Sequence, residues 1–304
     1  MIQLQDLRKD FRRTRAVDGL TLTVPEGKVT AFLGPNGAGK TTTIQCLLGL
    51  HRPDGGTATV MGCDSRKLGP EQFVSIGYVS ENTELPLWMT VSSFLDYCRP
   101  MYPKWDRSFE QRLMKQFELP PKAKLKELSR GMRMKAALLS SLAYRPRLVV
   151  LDEPFSGLDP LVRDEFIHGL LELTEEEGWT VFVSSHDIEE VQRLADRVTL
   201  LSRGRLALEE DADSLHARFR AVDLMLPDAT RPPAQAPQGW LQVEQAGRTV
   251  RFIESGYQGD EVLQKRVAGW LPGATEVAAR PMSLREIFVA LARAYRLESP
   301  APQN

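Results

Sequence analysis

Residues 34–41 read Gly34-Pro35-Asn36-Gly37-Ala38-Gly39-Lys40-Thr41, a G-x-x-x-x-G-K-[ST] pattern, and this run constrains the fold more than any other stretch of the chain. The segment before it, Lys28-Val29-Thr30-Ala31-Phe32-Leu33, has the length and character of a short buried strand. The segment after it, Thr42-Thr43-Ile44-Gln45-Cys46-Leu47-Leu48, reads as the first turns of a helix. A strand that turns through glycines into a helix points successive N–H groups inward and adds the partial positive charge of the helix end, which makes an anion site. Lys40 then stands to reach the β- and γ-phosphates of a nucleotide, and Thr41 to ligate Mg²⁺. An ordinary glycine-rich turn is the bland alternative, and the flanking strand and helix argue against it.

The rest of the chain alternates in character around this loop. Residues 1–33 carry apolar residues at alternating positions (Ile2, Leu4; Leu20, Leu22, Val24) and a turn at Pro25-Glu26-Gly27, which suggests antiparallel strands leading into the nucleotide strand. Arg52-Pro53-Asp54-Gly55-Gly56 is a turn cluster, followed by strand character in Thr57-Ala58-Thr59-Val60-Met61. From Trp88 to Tyr144 the period becomes helical, with breaks at Pro100, Pro103 and Pro120-Pro121. Apolar runs at 148–151, 180–183 and 198–201, separated by helical stretches, imply a parallel sheet. Residues 227–239, rich in Pro, Ala and Gln, read as a loop or linker. Beyond residue 215 we expect strands near 222–226, 241–244, 249–253 and 275–279, a helix over 260–270 and a last helix over 283–295. Ser283 is its expected N-cap and Glu286 the capping-box partner.

Two further clusters carry chemistry. Leu148-Val149-Val150-Leu151-Asp152-Glu153 is an apolar strand that ends in two carboxylates, at the edge where parallel sheets expose their reactive groups. Asp152 is a candidate Mg²⁺ ligand and Glu153 a candidate general base for the attacking water; such acidic pairs also serve as plain helix N-caps. Ser184-Ser185-His186-Asp187 ends the following strand, which would deliver His186 to the γ-phosphate edge, although a histidine there is commonly structural.

This ordered set resembles the ATP-binding subunits of ABC (ATP-binding cassette) transporters, over roughly residues 1–215. The resemblance implies an α/β fold: a P-loop NTPase core with an N-terminal antiparallel β layer and an inserted helical subdomain. Together with the change of character near residue 215, it divides the chain into a cassette at 1–214, with the helical subdomain at about 85–145, and a small C-terminal α+β domain, an accessory domain at 215–304. It makes Phe11 the aromatic that stacks on adenine, with a strand core residue as the alternative. Gly34 to Thr42 become the phosphate loop, Asp152 and Glu153 the metal-holding and catalytic carboxylates, and His186 the switch histidine. Residues 156–159 become the loop that communicates across a dimer, with Asp159 at its end. The family's Leu-Ser-Gly-Gly-Gln signature stands here as Leu128-Ser129-Arg130-Gly131-Met132. Ser129 and Gly131 remain to hold the γ-phosphate of ATP bound by a second cassette. Where relatives carry a metal-touching glutamine this chain has Glu81, whose carboxylate offers the same oxygen ligand; Glu84, or a merely solvated acidic loop, is the alternative. Leu87, Trp88 and Met89 open the block that receives a coupling helix in relatives, though a core tryptophan is equally ordinary. The departures at 81, 130 and 132, with the C-terminal extension ending Ser283-Leu284-Arg285-Glu286-Ile287-Phe288, resemble bacterial ABC-2-type subunits, which implies a separate permease and export.

ATP and Mg²⁺ are the implied cofactors, and the implied partners are a membrane-embedded permease and a second cassette. The expected place is the cytoplasm, peripheral at the inner face of the membrane. Charged residues make up 26% of the 304 with a net charge of −1, so no basic field suggests nucleic acid. Cys46, Cys63 and Cys98 lack metal-site spacing, and no apolar run reaches the length of a membrane span. Two rival readings remain: a soluble ABC ATPase of DNA repair or the ribosome, which usually carries coiled-coil insertions or tandem cassettes not visible here, and a nucleotide-gated module that does not hydrolyse.

Overall fold

Alternation at the N-terminus does produce a ribbon. In the computed structural model, which describes residues 1–12, 14–228 and 231–297, strand β1 (Ile2–Phe11) pairs antiparallel with β2 (Thr14–Val24), burying Ile2, Leu4, Leu7, Leu20, Leu22 and Val24 on one face. Strand β3 (Val29–Leu33) is buried at every position and feeds helix α1 (Lys40–Leu47). Then come β4 (Gly55–Val60) and β5 (Cys63–Asp64), the short helix α2 (Pro70–Phe73) and β6 (Ile76–Ser80). Because β4 returns to the free edge of β1, the antiparallel layer has the order β2-β1-β4-β5 and is not wholly N-terminal.

The helical block follows as α3 (Val91–Cys98), α4 (Arg107–Gln116) and α5 (Arg130–Leu142). Side chains cap each of these: Thr90, Asp106 and Ser129 accept from the amides of Ser93, Phe109 and Met132. Tyr144 ties the block to the sheet, stacking on Tyr102 at 3.8 Å and donating its hydroxyl to Ile76 O at 2.7 Å. The chain returns through β7 (Leu148–Asp152), α6 (Pro160–Glu177), β8 (Thr180–Ser185), α7 (Ile188–Val191), β9 (Arg197–Ser202) and β10 (Arg205–Asp211). The second sheet runs β10-β9-β3-β8-β7-β6, with β9, β3, β8, β7 and β6 parallel. One apolar cluster joins both sheets to α1, with Ile44 and Leu47 packed among Leu4, Leu22, Phe32 and Phe182. Each such side chain contributes about 1.5–3 kcal/mol by leaving water. The phosphate loop is thus anchored at both ends by buried elements.

The compact units divide after Glu209, ahead of the expected break at 214/215, because helix α8 (Ala212–Arg218) belongs wholly to the second unit. That unit continues with β11 (Arg220–Met225), β12 (Trp240–Ala246), β13 (Thr249–Glu254), α9 (Asp260–Trp270), β14 (Thr275–Pro281) and α10 (Leu284–Leu297). Its sheet has the order β12-β13-β11-β14, and α9 sets Leu263, Val267 and Leu271 against Val222, Leu224 and Phe252. Ser283 and Glu286 form the expected capping box: Ser283 N donates to Glu286 Oε2 at 2.8 Å and Glu286 N to Ser283 Oγ at 3.2 Å. Residues 227–239 fall within this unit, as the expected break near 215 implied. Their described part is fastened, with Trp270 Nε1 donating to Gln235 O at 3.0 Å and Arg266 Nη2 to Gln238 O at 2.6 Å; Ala229 and Thr230 lie outside the described residues.

Candidate functional site

Three strand ends build the site. β3, β8 and β7 are successive neighbours in the parallel sheet, so their C-terminal ends converge and bring together residues 34–41, 152–153 and 184–187. The glycines serve different ends. Gly37 (φ 78°) and Gly39 (φ 106°) turn the loop through conformations that side chains resist. Gly34 is required by contact instead: a Cβ there would stand 2.5 Å from Leu201 O. Pro35, Asn36 and Gly37 are exposed and Ala38 is buried, its amide donating to Pro35 O at 3.0 Å. The first amides of α1, around Lys40, Thr41 and Thr42, are the donors a helix leaves without intrahelical partners.

Lys40 is buried, and its ammonium lies 2.9 Å from Glu153 Oε1 while donating to Gly34 O at 2.6 Å. Glu153 is a non-glycine at φ 54°, a conformation that costs on the order of 1–3 kcal/mol and turns its carboxylate off the line of β7. Its other oxygen meets His186 Nδ1 at 2.7 Å. That contact, above all, raises the imidazole's pKa. Asp152 Oδ1 accepts from Thr41 Oγ1 at 3.2 Å and Ser184 Oγ at 2.6 Å; burial raises its pKa and the two hydroxyls oppose the rise. The structure therefore brings Lys40, Thr41, Asp152, Glu153 and His186 into one cluster.

Other expected residues lie around it. Phe11, 41% exposed, is not a core residue; it ends β1 in edge contact with His51, ring centroids 5.4 Å apart. Ser129 is exposed and caps α5. Gly131 is buried, and a Cβ there would meet Val162 Cγ1 at 2.6 Å, so its small size serves close packing against α6 of the same chain. Asp159 is exposed and caps α6, accepting from Val162 N at 3.1 Å. The Glu81 carboxylate accepts from Arg130 Nη2 and Ser156 Oγ, each at 3.0 Å, an ion pair that the expectation did not include. Trp88 is 72% exposed, so the core alternative does not hold for it.

Two buried groups escaped the sequence reading. Ser184 fixes both acidic residues, donating to Asp152 and accepting from Glu153 N at 3.0 Å. Glu190, one turn beyond His186, accepts from Ser185 Oγ and lies 3.4 Å from Arg163 of α6. Position directly after an apolar strand was the only signal for Ser184; Glu190 gave none, since acidic residues near a helix start are common. No thiol takes part: burial lifts Cys46 and Cys98 to about 11, which keeps them protonated at neutral pH.

A model of the ABC transporter family, ABC_tran, matches residues 17–156. The chain belongs to the ABC transporter family. Among the relatives, the ABC transporter ATP-binding protein YtrB of Bacillus subtilis is 28% identical over 293 residues, spanning 95% of this chain and 97% of YtrB, so the likeness extends through the second unit. The sulfate/thiosulfate import ATP-binding protein CysA of Yersinia pseudotuberculosis is 32% identical over 67% of this chain and 59% of its own length. Of solved structures, the dimeric bacterial ABC transporter cassette MJ0796 superposes with a TM-score of 0.64 at 25% identity, covering 70% of this chain and 99% of that one. The chain is thus an ABC-type ATP-binding subunit and ATP hydrolase, and no helix among its described residues is long and apolar enough to cross a membrane.

The residues present fit Mg²⁺ and a triphosphate. Thr41 and Asp152 offer hard oxygens side by side, the donor type Mg²⁺ takes. Around the Cβ direction of Gly37 nothing lies within 4 Å, so the tip of the loop is open there.

Proposed function

We propose that this chain powers a separate membrane permease: two cassettes close head to tail around two Mg-ATP, hydrolysis reopens them, and the movement drives the permease. The observation that carries this reading is the Lys40–Glu153–His186 cluster beside Asp152 and Thr41, at the ends of adjacent parallel strands. Lys40 and the loop amides neutralise phosphate charge; Glu153 accepts a proton from the attacking water, and His186 holds that carboxylate in place. Mg²⁺, held by Thr41 and Asp152 with Glu81 near by, would supply further charge neutralisation. Phe11 is exposed where a base can stack, and Ser129, exposed at the start of α5, suits a phosphate of the opposite cassette.

Permease docking is supported by a groove of about 520 Å³ lined by Ser80, Glu84, Leu85, Leu87, Arg133 and Met134, with exposed Trp88 close in sequence. Export is the direction we propose, from the ABC-2-type departures at positions 81, 130 and 132. The test is purification of the tagged chain from detergent-solubilised membranes, followed by reconstitution into vesicles. A co-purifying permease that raises ATPase activity supports the proposal, and efflux supports the direction. Full ATPase activity with no membrane partner at any detergent concentration would overturn it.

A further inference from the structure

Two residues that break the family pattern, Glu81 and Arg130, touch each other. The backbone of Glu81 is fixed: its amide donates to Asp152 O at 2.8 Å, and the preceding Ser80 N donates to Thr83 Oγ1 at 2.9 Å. Its side chain is bonded to the start of α5 and to Ser156. Arg130 Nη2 and Ser156 Oγ both donate to Glu81 Oε1 at 3.0 Å. The Arg130 guanidinium lies over Gly157, where a Cβ would come within 2.9 Å of Cζ and Nη1. One residue on, Gly131 packs against Val162 and holds the start of α5 on α6.

We infer that Arg130 is the positioning residue for Glu81: the ion pair, completed by Ser156, straps the start of α5 to the loop after β6 within one cassette and sets where the Glu81 carboxylate stands during turnover. This rests on the ATPase reading above. The two departures complement each other, because the negative charge placed at 81 beside a phosphate site is balanced by the guanidinium it pairs with. The strap also has a mechanical consequence. Glu81 is bonded by its main chain to Asp152 and by its side chain to α5, so displacement of the helical block is transmitted to the metal-holding strand end without passing through the opposite cassette.

Glu81→Gln, Arg130→Gln, the double variant and Arg130→Lys, each in the full chain, test this by two readouts. The first is amide hydrogen exchange without nucleotide over residues 81–85 and 129–134. Each glutamine variant is expected to speed exchange in both segments about two- to fivefold, the range for a part-exposed ion pair, and the double variant no further than either single. The second is phosphate release against Mg²⁺ concentration. Both singles should lower kcat by a similar factor with ATP affinity and Mg²⁺ requirement alike, and Arg130→Lys, which keeps the charge, should recover most of the loss. Additive effects in the double variant, exchange confined to the mutated segment, or a Mg²⁺ requirement raised by Glu81→Gln alone would overturn the strap; the last would return Glu81 to the metal. If the unmutated chain released no phosphate, the ATPase reading would fail, while the exchange data would still decide the strap.

Discussion

Replacing Glu153 by Gln separates the two roles of the central carboxylate. Its oxygens lie 2.9 Å from Lys40 Nζ and 2.7 Å from His186 Nδ1, and the side chains of Lys40 and Glu153 are only 5% and 11% exposed. The amide keeps the shape but loses the charge, and with it a hydrogen bond between charged groups worth about 1.5–3 kcal/mol. ATP gains from that loss. Lys40 must exchange Glu153 for a phosphate oxygen, so removing the competitor should tighten ATP binding by as much as about tenfold, equivalent to ~1.4 kcal/mol. Turnover moves the other way, since a positioned general base supplies roughly 10²–10⁴ in rate, or about 3–5 kcal/mol of barrier. Calorimetric titration with Mg-ATP and steady-state phosphate release measure the two effects on one preparation. Size-exclusion chromatography with ATP should show the variant held as a closed dimer. Phosphate release close to that of the unmutated chain would refute the role of Glu153, and ATP binding tenfold weaker would refute the competition for Lys40.

Gly39→Ala would place a Cβ 2.2 Å from Ala16 O at φ 106°, whereas Gly37→Ala meets nothing within 4 Å and carries only the strain of φ 78°. The first should lower the melting temperature well beyond the second, whose cost is about 1–2 kcal/mol, and equal melting curves would contradict the packing argument. The His186–Glu153 contact should confer pH-dependent stability. Because the folded-state pKa of His186 is raised, its contribution is full below the unfolded value and fades as pH rises through the folded one. The excess melting temperature of the unmutated chain over His186→Gln should therefore be larger near about pH 6 than near about pH 9; an excess that grows with pH would contradict it.

Local periodicity was legible where one face of an element meets one layer. The alternation in β1 and β2, the unbroken apolar runs of β3, β7 and β8, and the Ser283–Glu286 capping box all appear in the fold. Less legible was pairing between distant segments. Strand β4 reads as a strand from its residues, yet only the free edge of β1 puts it in the antiparallel layer. Residues 227–239 read as a loop or linker from composition, which does not show that the carbonyls of Gln235 and Gln238 serve Trp270 and Arg266. Among the site residues, nothing along the sequence near Gly131 shows that Val162 fills its side-chain direction.

The sequence by itself determined the chemistry on offer: a glycine loop that turns into a helix, a lysine and threonine at its head, two carboxylates after one strand and a histidine after another. Spacing along a chain suffices for that, because backbone conformation and strand ends are local. Only the tertiary structure decided who faces whom: Lys40 on Glu153, Ser184 on Asp152, and Glu81 on Arg130. The reason is physical. A charged side chain takes the partner that best repays its lost hydration, and that partner stands dozens of residues away, brought near by sheet order and by the burial of the cluster around α1.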